Sequence, residues 1–287
     1  MRVVMVGLDG SPASASACRW AACVAAKTNA RLIAASAWRP QQSEGTPEDI
    51  AVRRSHAEGL LEADWSEPAR ALGVAPRSLL LDGPPDVLLV AAEDQRADLL
   101  VVGNRGEGGL PQMHLGSVAH HLAHHTVRPL AIVPAPAARD HPGTIVVGVD
   151  GSPGSAAAIA WCAAVAPALA AEVIAVLAFE PFLEWVPDSD ARNWRRHLER
   201  HMEEWIQPLR IANVTVSTEI VRDVHPVAAI ANTARGKAQL IVVGRHGAGR
   251  LPGPHLGSVG IHLVHQALLP VVLVPPPTGE QSPARCA

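Results

Sequence analysis

Two glycine-rich segments of the chain have residue types and spacings that suit the binding of phosphate groups. The first has the sequence GNRG at 103–106 and, after nine further residues, a Gly-Ser pair at 116–117. The second has GRHG at 244–247 and, at the same spacing, a Gly-Ser pair at 257–258. Glycines let the backbone approach a ligand closely, and successive N–H groups in such turns form a nest for an anion. Each Gly-Ser pair also begins a predicted helix, whose first N–H groups carry partial positive charge, so the pattern favours a di- or triphosphate.

An acidic residue stands at a second candidate ligand position in each half of the sequence. Asp9 lies in VGLDGSP at 6–12, and Asp150 lies in VGVDGSP at 147–153. We interpret these aspartates as groups that orient a ligand rather than as general bases, because no His or Asp is placed convincingly to activate a water molecule. The sequence has no Walker-type Gly-Lys-Ser/Thr and no Gly-x-Ser-x-Gly nucleophile motif, so neither P-loop hydrolysis nor a serine hydrolase is indicated.

These features return at a constant offset, which identifies a duplicated domain. The aspartate, the glycines of both loops and Trp20 all recur 141 residues later, the tryptophan as Trp161. A length of 287 residues agrees with about two domains. We predict domain 1 at 1–136, a linker at 137–143, domain 2 at 144–275 and a flexible tail at 276–287.

Short apolar runs alternate with helix-type segments in both halves. The predicted strands lie at 2–8, 31–37, 78–81, 98–102 and 130–133, and at 145–149, 172–178, 214–221, 239–243 and 271–274. The predicted helices lie at 13–28, 47–72, 85–96 and 117–126, and in the second half at 190–210 and from 155, 226 and 258 onward. This alternation predicts an α/β fold with parallel strands and helices on both faces, in which ligands bind beyond the carboxyl ends of the strands.

The composition excludes several classes of partner. The net charge is −3 and no basic stripe is present, so we expect no nucleic-acid partner. No apolar run is long enough to span a membrane, and the N-terminal apolar run is too short for a signal peptide, so we expect a cytoplasmic protein without a membrane partner. The four cysteines form no C-x-x-C pair, and we predict no metal site.

The opening Val-Gly-x-Asp-Gly-Ser-Pro and the closing Leu-Gly-Ser-Val of each repeat resemble the ATP-binding class of the universal stress protein family. The resemblance covers roughly residues 2–274 and matches tandem, two-domain members. It implies two tandem doubly wound five-stranded parallel sheets, each of strand order 3-2-1-4-5, in an adenine nucleotide alpha hydrolase-like fold. It also implies bound ATP, or ADP or AMP in its place, with Mg²⁺ as a companion of the nucleotide, and a regulatory role in stress adaptation.

The resemblance also implies a role for residues at matching positions of this chain. Asp9 and Asp150 would lie at the ribose, and Gly7 and Gly148 would pass close to the base. The residue that ends the second strand, Ala37 or Ala178, would meet adenine through its backbone. Ribose and phosphates would be lined by Gly103, Gly106, Gly116, Ser117 and Val118 in the first half and by Gly244, Gly247, Gly257, Ser258 and Val259 in the second.

One departure from the family pattern concerns the terminal phosphates. Members of the family often carry Ser or Thr two residues after the Gly-Ser serine, where this chain has Ala119 and Gly260. Both halves therefore lack one hydroxyl, and a preference for ATP over ADP does not follow from the resemblance.

The charged and imidazole side chains near the loops leave alternatives open. Arg105 and Arg245 stand inside the loops, either as donors to phosphate or as solvated side chains. The histidines at 120, 121, 124 and 125 form i, i+4 pairs, which suit either a metal ion or a polar helix surface, and we favour the surface.

Two alternatives to a nucleotide-binding regulator also stay open. One is an ATP-using enzyme, either a slow ATPase or a nucleotidyl transferase, and the other is a nucleotide-free structural dimerisation module. The last strands of the two halves are predicted to pair inside the chain, and a homodimer and an unknown protein partner complete the expected partners.

Overall fold

The computed structural model describes residues 1–39, 46–106, 115–135, 143–179, 188–222, 224–247, 256–266 and 268–276. In the first half, strands and helices follow in the order β1 (Val3–Gly7), α1 (Pro12–Thr28), β2 (Arg31–Trp38), α2 (Pro47–Leu60), α3 (Glu67–Arg70), β3 (Arg77–Asp82), α4 (Val87–Asp94), β4 (Leu99–Gly103), α5 (Ser117–His125) and β5 (Leu130–Val133). The second half repeats this order as β6 (Thr144–Gly148), α6 (Pro153–Leu169), β7 (Glu172–Phe179), α7 (Asp188–Trp205), α8 (Gln207–Ile211), β8 (Val216–Arg222), α9 (Pro226–Ala234), β9 (Leu240–Gly244), α10 (Ser258–Gln266) and β10 (Val271–Val274).

The sheet confirms the predicted α/β class. In each half the strands are parallel and follow the order 3-2-1-4-5, so β1 lies between β2 and β4, and β6 lies between β7 and β9. The order reverses at β1/β4 and at β6/β9, and these two switch points place the aspartate turn next to the glycine-rich loop.

The last strands of the two halves lie side by side in the structure, at the edges where the sequence led us to expect a contact between the halves. Strands β5 and β10 pair antiparallel, with Val271 opposite Ile132, and thereby join all ten strands into a single sheet. All four residues of each of these strands are buried. An unpaired edge there would expose an apolar strand with unsatisfied N–H and C=O groups, and the pairing removes that edge from both halves.

Two apolar layers cover the sheet because successive strand residues point to opposite faces. Val4 and Val6 of β1 belong to the layer that packs under α1, α3, α6, α7 and α8. Val3 and Met5 belong to the layer under α4, α5, α9 and α10. Each layer contains residues of both halves, so the core is continuous across the β5–β10 junction.

The long helices predicted at 47–72 and 190–210 are each broken once, and those predictions were wrong in extent. After α2 the backbone forms a π-helical turn at Leu61–Trp65 before α3, and in the second half α7 ends at Trp205 before α8. Pro68 and Pro208 lie in the first turn of the short helix that follows each break. Proline lacks an N–H and collides with the carbonyl four residues earlier, so a continuous helix could not pass through these positions.

The domain limits at 1–136 and 144–275 stay predictions. The predicted linker at 137–143 lies outside the described residues except for Gly143, and the predicted tail at 276–287 lies outside them except for Pro276. Among the helices in the described ranges, none has the combination of length and apolar character that a bilayer crossing requires.

Candidate functional site

The turn after the first strand of each half is held by its own aspartate and serine. The backbone N–H of Ser11 donates to Asp9 Oδ1 at 3.1 Å, and that of Ser152 donates to Asp150 Oδ1 at 3.0 Å. The serine hydroxyls then accept from the third residue of α1 and of α6, each at 3.1 Å, and so cap these helices. The DGSP sequence therefore fixes one carboxylate oxygen and leaves Oδ2 directed elsewhere.

The second residue of this turn must be glycine for two reasons. Gly10 and Gly151 have φ of +82° and +73°, in the left-handed region. A Cβ at Gly10 would lie 2.7 Å from Nε1 of Trp65, and a Cβ at Gly151 would lie 2.5 Å from Cζ2 of Trp205. Each tryptophan comes from the end of the helical segment that precedes the proline break, so the break positions a ring over the turn.

The aspartate turn meets the glycine-rich loop in both halves. A Cβ at Gly106 would lie 2.5 Å from Asp9 Oδ2, and a Cβ at Gly247 would lie 2.7 Å from Asp150 Oδ2. The structure thus brings together, at each switch point, the two groups that the sequence predicted as ligand contacts. Because neither loop has a side chain at this point, the carboxylate and the loop backbone face the same space.

The first glycine of each loop has a packing role. A Cβ at Gly103 would lie 2.7 Å from the carbonyl carbon of Ala13 in α1, and a Cβ at Gly244 would lie 2.5 Å from that of Gly154 in α6. These glycines let β4 and β9 run directly against the first turn of a helix. The sequence pattern predicted them as ligand contacts, and it could not distinguish that role from close packing.

The last glycine of the first loop leads into α5 without a side-chain cap. Gly116 is the N-cap residue, and among the described residues no side chain hydrogen-bonds to this helix terminus, in contrast with the serine-capped α1. The N–H of Gly116 donates to the carbonyl of Asn104 at 2.7 Å, and the N–H of Gly257 donates to that of Arg245 at 2.8 Å, which closes each loop. Ser117 and Ser258 are exposed at the start of the next helix. The orphan N–H groups of such a terminus suit an anion.

A cavity of about 270 Å³ lies at the switch point of the second half. Eight of the nine residues predicted for that site line it, namely Gly148, Asp150, Ala178, Gly244, Gly247, Gly257, Ser258 and Val259. The sequence reading did not assign Val176, Pro226 and Ile230, which add an apolar wall. Pro226 and Ile230 belong to α9, whose approach to β6 depends on tertiary packing and leaves no local sequence signal.

The glycine that ends the first strand has similar surroundings in the two halves. A Cβ at Gly7 would lie 3.1 Å from Cδ1 of Leu88, and a Cβ at Gly148 would lie 2.7 Å from Cδ1 of Ile230. Ala37 lies near the end of β2, where it pairs in register with Leu81 of β3. In both halves an aliphatic side chain therefore borders the glycine that ends the first strand.

The two loop arginines do not occupy equivalent positions. At the repeat offset, Arg245 stands where the first half has Asn104, and Arg105 stands where the second half has His246. His246 lines the second cavity and Arg245 does not. Instead, Nη1 of Arg245 donates to the backbone carbonyl of His124, at the end of α5 in the other half, at 2.6 Å. Burial lowers the pKa of this guanidinium.

The histidine-rich surface of α5 forms contacts within the protein. His121 Nε2 lies 3.3 Å from Oδ1 of Asp86, and Nδ1 of His125 lies 2.9 Å from the carbonyl oxygen of His121. Within the described part of the chain, no cluster of three or more His, Cys, Asp or Glu side chains is arranged to hold a metal ion.

Comparison with known proteins identifies the family. The model of the universal stress protein family matches residues 1–134 and 142–275. The chain is 30% identical to Universal stress protein Rv1996 of Mycobacterium tuberculosis, with 98% of this chain and 97% of that protein covered. It is also 30% identical to Universal stress protein Rv2005c of the same organism, with 94% and 96% covered.

A solved structure shares the whole architecture. The crystal structure of a universal stress protein from Archaeoglobus fulgidus superposes on the chain with a TM-score of 0.70 at 16% identity, covering 96% of this chain and 98% of that one. At this identity the likeness shows a common fold. The two matched segments, the full-length relatives and the repeated switch-point geometry lead to one conclusion: the chain belongs to the universal stress protein family and carries two domains of that family in tandem.

Proposed function

We propose that the protein binds an adenine nucleotide, ATP or in its place ADP or AMP, at the switch point of each half, and that nucleotide occupancy regulates its action in stress adaptation. One observation supports this proposal above the others. In both halves, Oδ2 of the aspartate lies against a glycine of the glycine-rich loop, Gly106 or Gly247. The carboxylate, the loop backbone and the helix start border one space, and a nucleotide has a matching group for each.

The second cavity illustrates how the three parts of a nucleotide would be divided. Val176, Ala178 and Ile230 offer an aliphatic surface for a flat base. Asp150 Oδ2 lies beside Gly247 and is proposed to accept from ribose hydroxyl groups, while Oδ1 accepts from the N–H of Ser152. The backbone of the glycine-rich loop and the start of α10 offer N–H groups to the phosphates, with Mg²⁺ as a counter-ion of the nucleotide.

The proposed action is regulation by binding rather than catalysis. Asp9 and Asp150 each use one carboxylate oxygen to fix their own turn, which favours a positioning role over that of a general base. Nucleotide binding changes a partner interaction only if the nucleotide binds two states of the protein unequally. The proposal therefore includes a protein partner that reads nucleotide occupancy in the cytoplasm. It also includes homodimerisation and an association of the halves through β5 and β10 in solution.

The experiment is to denature freshly purified protein and to resolve the released small molecules by chromatography. We expect an adenine nucleotide from each half, and a rise in heat stability when ATP is added to protein stripped of nucleotide. At an ATP concentration of about 100 times Kd, each filled site adds about 2.7 kcal/mol to the free energy of unfolding.

Three other outcomes would change the proposal. Release of product many times per site would favour an ATP-using enzyme. Nucleotide in one half alone would show that the copies differ in function. No released nucleotide, together with no shift in heat stability on adding ATP, would favour the structural dimerisation module.

A further inference from the structure

Helix α5 connects the two candidate sites. Its N-terminus, at Gly116 and Ser117, follows the glycine-rich loop of the first half. Its C-terminal turn, at His124, contacts the glycine-rich loop of the second half. At 1.5 Å per residue, this nine-residue helix extends over about 13 Å. One short rigid element therefore contacts both loops.

A single residue of the first half holds both ends of the second loop. The guanidinium of Arg245, in the first turn of that loop, donates from Nη1 to the carbonyl of His124 at 2.6 Å. The backbone N–H of Leu256, immediately before Gly257, donates to Nδ1 of the same histidine at 3.3 Å. The contact continues between α5 and α10, where the rings of His120 and His265 have centroids 6.5 Å apart.

Both hydrogen bonds matter because of where they fall on the second loop. Arg245 lies between Gly244 and His246, and Leu256 immediately precedes Gly257 and Ser258; these four neighbours all line the second cavity. The carbonyl of His124 belongs to the last turn of α5, where carbonyl groups lack intrahelical partners and carry partial negative charge. A partly buried arginine is a well-matched donor for such a group, since its charge shortens and strengthens the bond.

We propose that α5 couples the two nucleotide sites, so that nucleotide in the first half raises the affinity of the second half, with Arg245 and His124 as the positioning residues. This inference rests on the proposed function. Arg245 thereby acts through α5 rather than by touching phosphate, which agrees with its absence from the residues that line the cavity.

The sign of the coupling follows from the two ends of α5. Phosphates at its N-terminus engage the free N–H groups and hold the helix in one position. A fixed α5 holds the carbonyl and ring of His124 in place, and these preorganise Arg245 and Leu256 on the second loop. ATP binding at the second site then costs less conformational entropy. By linkage, ATP at the second site raises the affinity of the first site by the same factor.

The test compares binding constants for ATP in three proteins by calorimetry. Asp150→Ala leaves the first site alone and gives its constant, and Asp9→Ala leaves the second site alone and gives its constant. The overall constant for filling both sites of the unaltered protein, divided by the product of these two, is the coupling factor. We expect a factor of about 5 or more, within the range common for coupled sites.

The same three measurements in an Arg245→Ala background are expected to give a factor close to one. Arg245→Lys, which keeps a charged donor, is expected to restore most of the coupling. Arg235→Ala is the matched control, because Arg235 is an exposed arginine of the same half at the end of α9. A purely local role of Arg245 in loop stability would lower the second constant alone and leave the coupling factor unchanged.

Each result supports or overturns the coupling. A factor of one in the unaltered protein with both sites filled, or a factor that survives Arg245→Ala in protein that melts normally, overturns it and leaves the proposed function intact. Nucleotide binding in one half only also overturns it. No ATP binding by the unaltered protein overturns the coupling together with the proposed function.

Discussion

The two halves have the same arrangement of aspartate turn and glycine-rich loop, but different contacts hold the loop in each half. In the first half, the hydroxyl of Ser11 donates to the carbonyl of Arg105 at 3.3 Å, so the loop is attached to its own aspartate turn. In the second half, the carbonyl of His246 lies against Gly154 in the first turn of α6, so closely that a Cβ there would overlap it. The second loop is also held by His124 of the first half.

This comparison separates residues that form a site from residues that set its surroundings. Positions that are the same in both halves, such as the aspartate and the second glycine of the loop, make the same contact in both. Equivalent positions that carry different residues change the groups that contact the loop. These pairs are Ala13 and Gly154, Asn104 and Arg245, and Arg105 and His246. Substitutions at matched positions with the same contacts should therefore act equally in the two halves, and substitutions at positions whose residues or contacts differ should not.

The largest effect is expected at the glycine under each tryptophan. Gly10→Ala and Gly151→Ala place a side chain at φ of +82° and +73° and against the rings of Trp65 and Trp205. Backbone strain and overpacking together should lower the free energy of unfolding by about 3 kcal/mol, equally in both halves. Urea denaturation measures this loss.

Each half supplies its own control for this pair. Gly73 and Gly236 have φ of +75° and +71°, but a Cβ at either would meet no atom within 4 Å. Gly73→Ala and Gly236→Ala should therefore show the backbone strain alone, about 1–2 kcal/mol. If Gly10→Ala is no more destabilising than Gly73→Ala, the tryptophan contact does not constrain the turn.

The next largest loss of stability should be confined to the second half. Gly154→Ala introduces the residue that the first half has at this position, yet its Cβ collides with the carbonyl of His246. Overpacking should outweigh the gain in helix propensity and destabilise the protein by about 2 kcal/mol, with a displaced loop and weaker ATP binding at the second site. Denaturation and calorimetry measure the two losses.

The reciprocal substitution is the control for Gly154→Ala. Ala13→Gly removes a methyl group from the first turn of α1 and is expected to lower stability by about 1 kcal/mol without moving the first loop. Equal losses of ATP affinity from Gly154→Ala and Ala13→Gly would show that similar contacts hold the two loops, and would contradict the difference between the halves described above.

A smaller and symmetrical effect on binding is expected at the second glycine of each loop. Gly106→Ala and Gly247→Ala direct a Cβ at Oδ2 of Asp9 and of Asp150, and so displace the oxygen that is proposed to meet the ribose. Each should weaken ATP binding about tenfold at its own site, or 1.4 kcal/mol, while thermal stability without ligand changes little. Unequal losses measured by calorimetry would show that the sites use their aspartates differently.

Many of the strands and helix starts could be predicted from the sequence because short local patterns determine them. Short runs of Val, Ile and Leu mark strands that are buried on both faces, and Ser-Pro after Asp-Gly marks the start of α1 and α6. The strand order that the family resemblance implies indicated which loops would meet at the switch points. Pro68 and Pro208 are equally local signals, and they explain why the helices predicted at 47–72 and 190–210 are each interrupted.

The features that escaped prediction depend on contacts between distant residues. Arg245 was expected to meet either phosphate or solvent because it stands in the loop, while the carbonyl that it contacts is 121 residues away. The apolar wall formed by Ile230 likewise depends on how α9 packs against the sheet. No local pattern carries such information, since these contacts join residues that are far apart in the sequence.

The smallest expected difference concerns the serines that cap α1 and α6. Ser11 and Ser152 accept from the N–H of Ser14 and Ser155 at the same distance of 3.1 Å, so Ser11→Ala and Ser152→Ala should each lower the free energy of unfolding by about 1 kcal/mol through loss of the cap. Ser11 also donates its hydroxyl to the loop carbonyl of Arg105. Its removal should therefore be more destabilising than that of Ser152 by about 0.5–1 kcal/mol. Urea denaturation of both variants, with Ser11→Thr as a variant that keeps the hydroxyl, measures this difference. Equal losses would mean that the bond from Ser11 to the carbonyl of Arg105 contributes nothing to stability, and the first loop would then be held without a contribution from its aspartate turn.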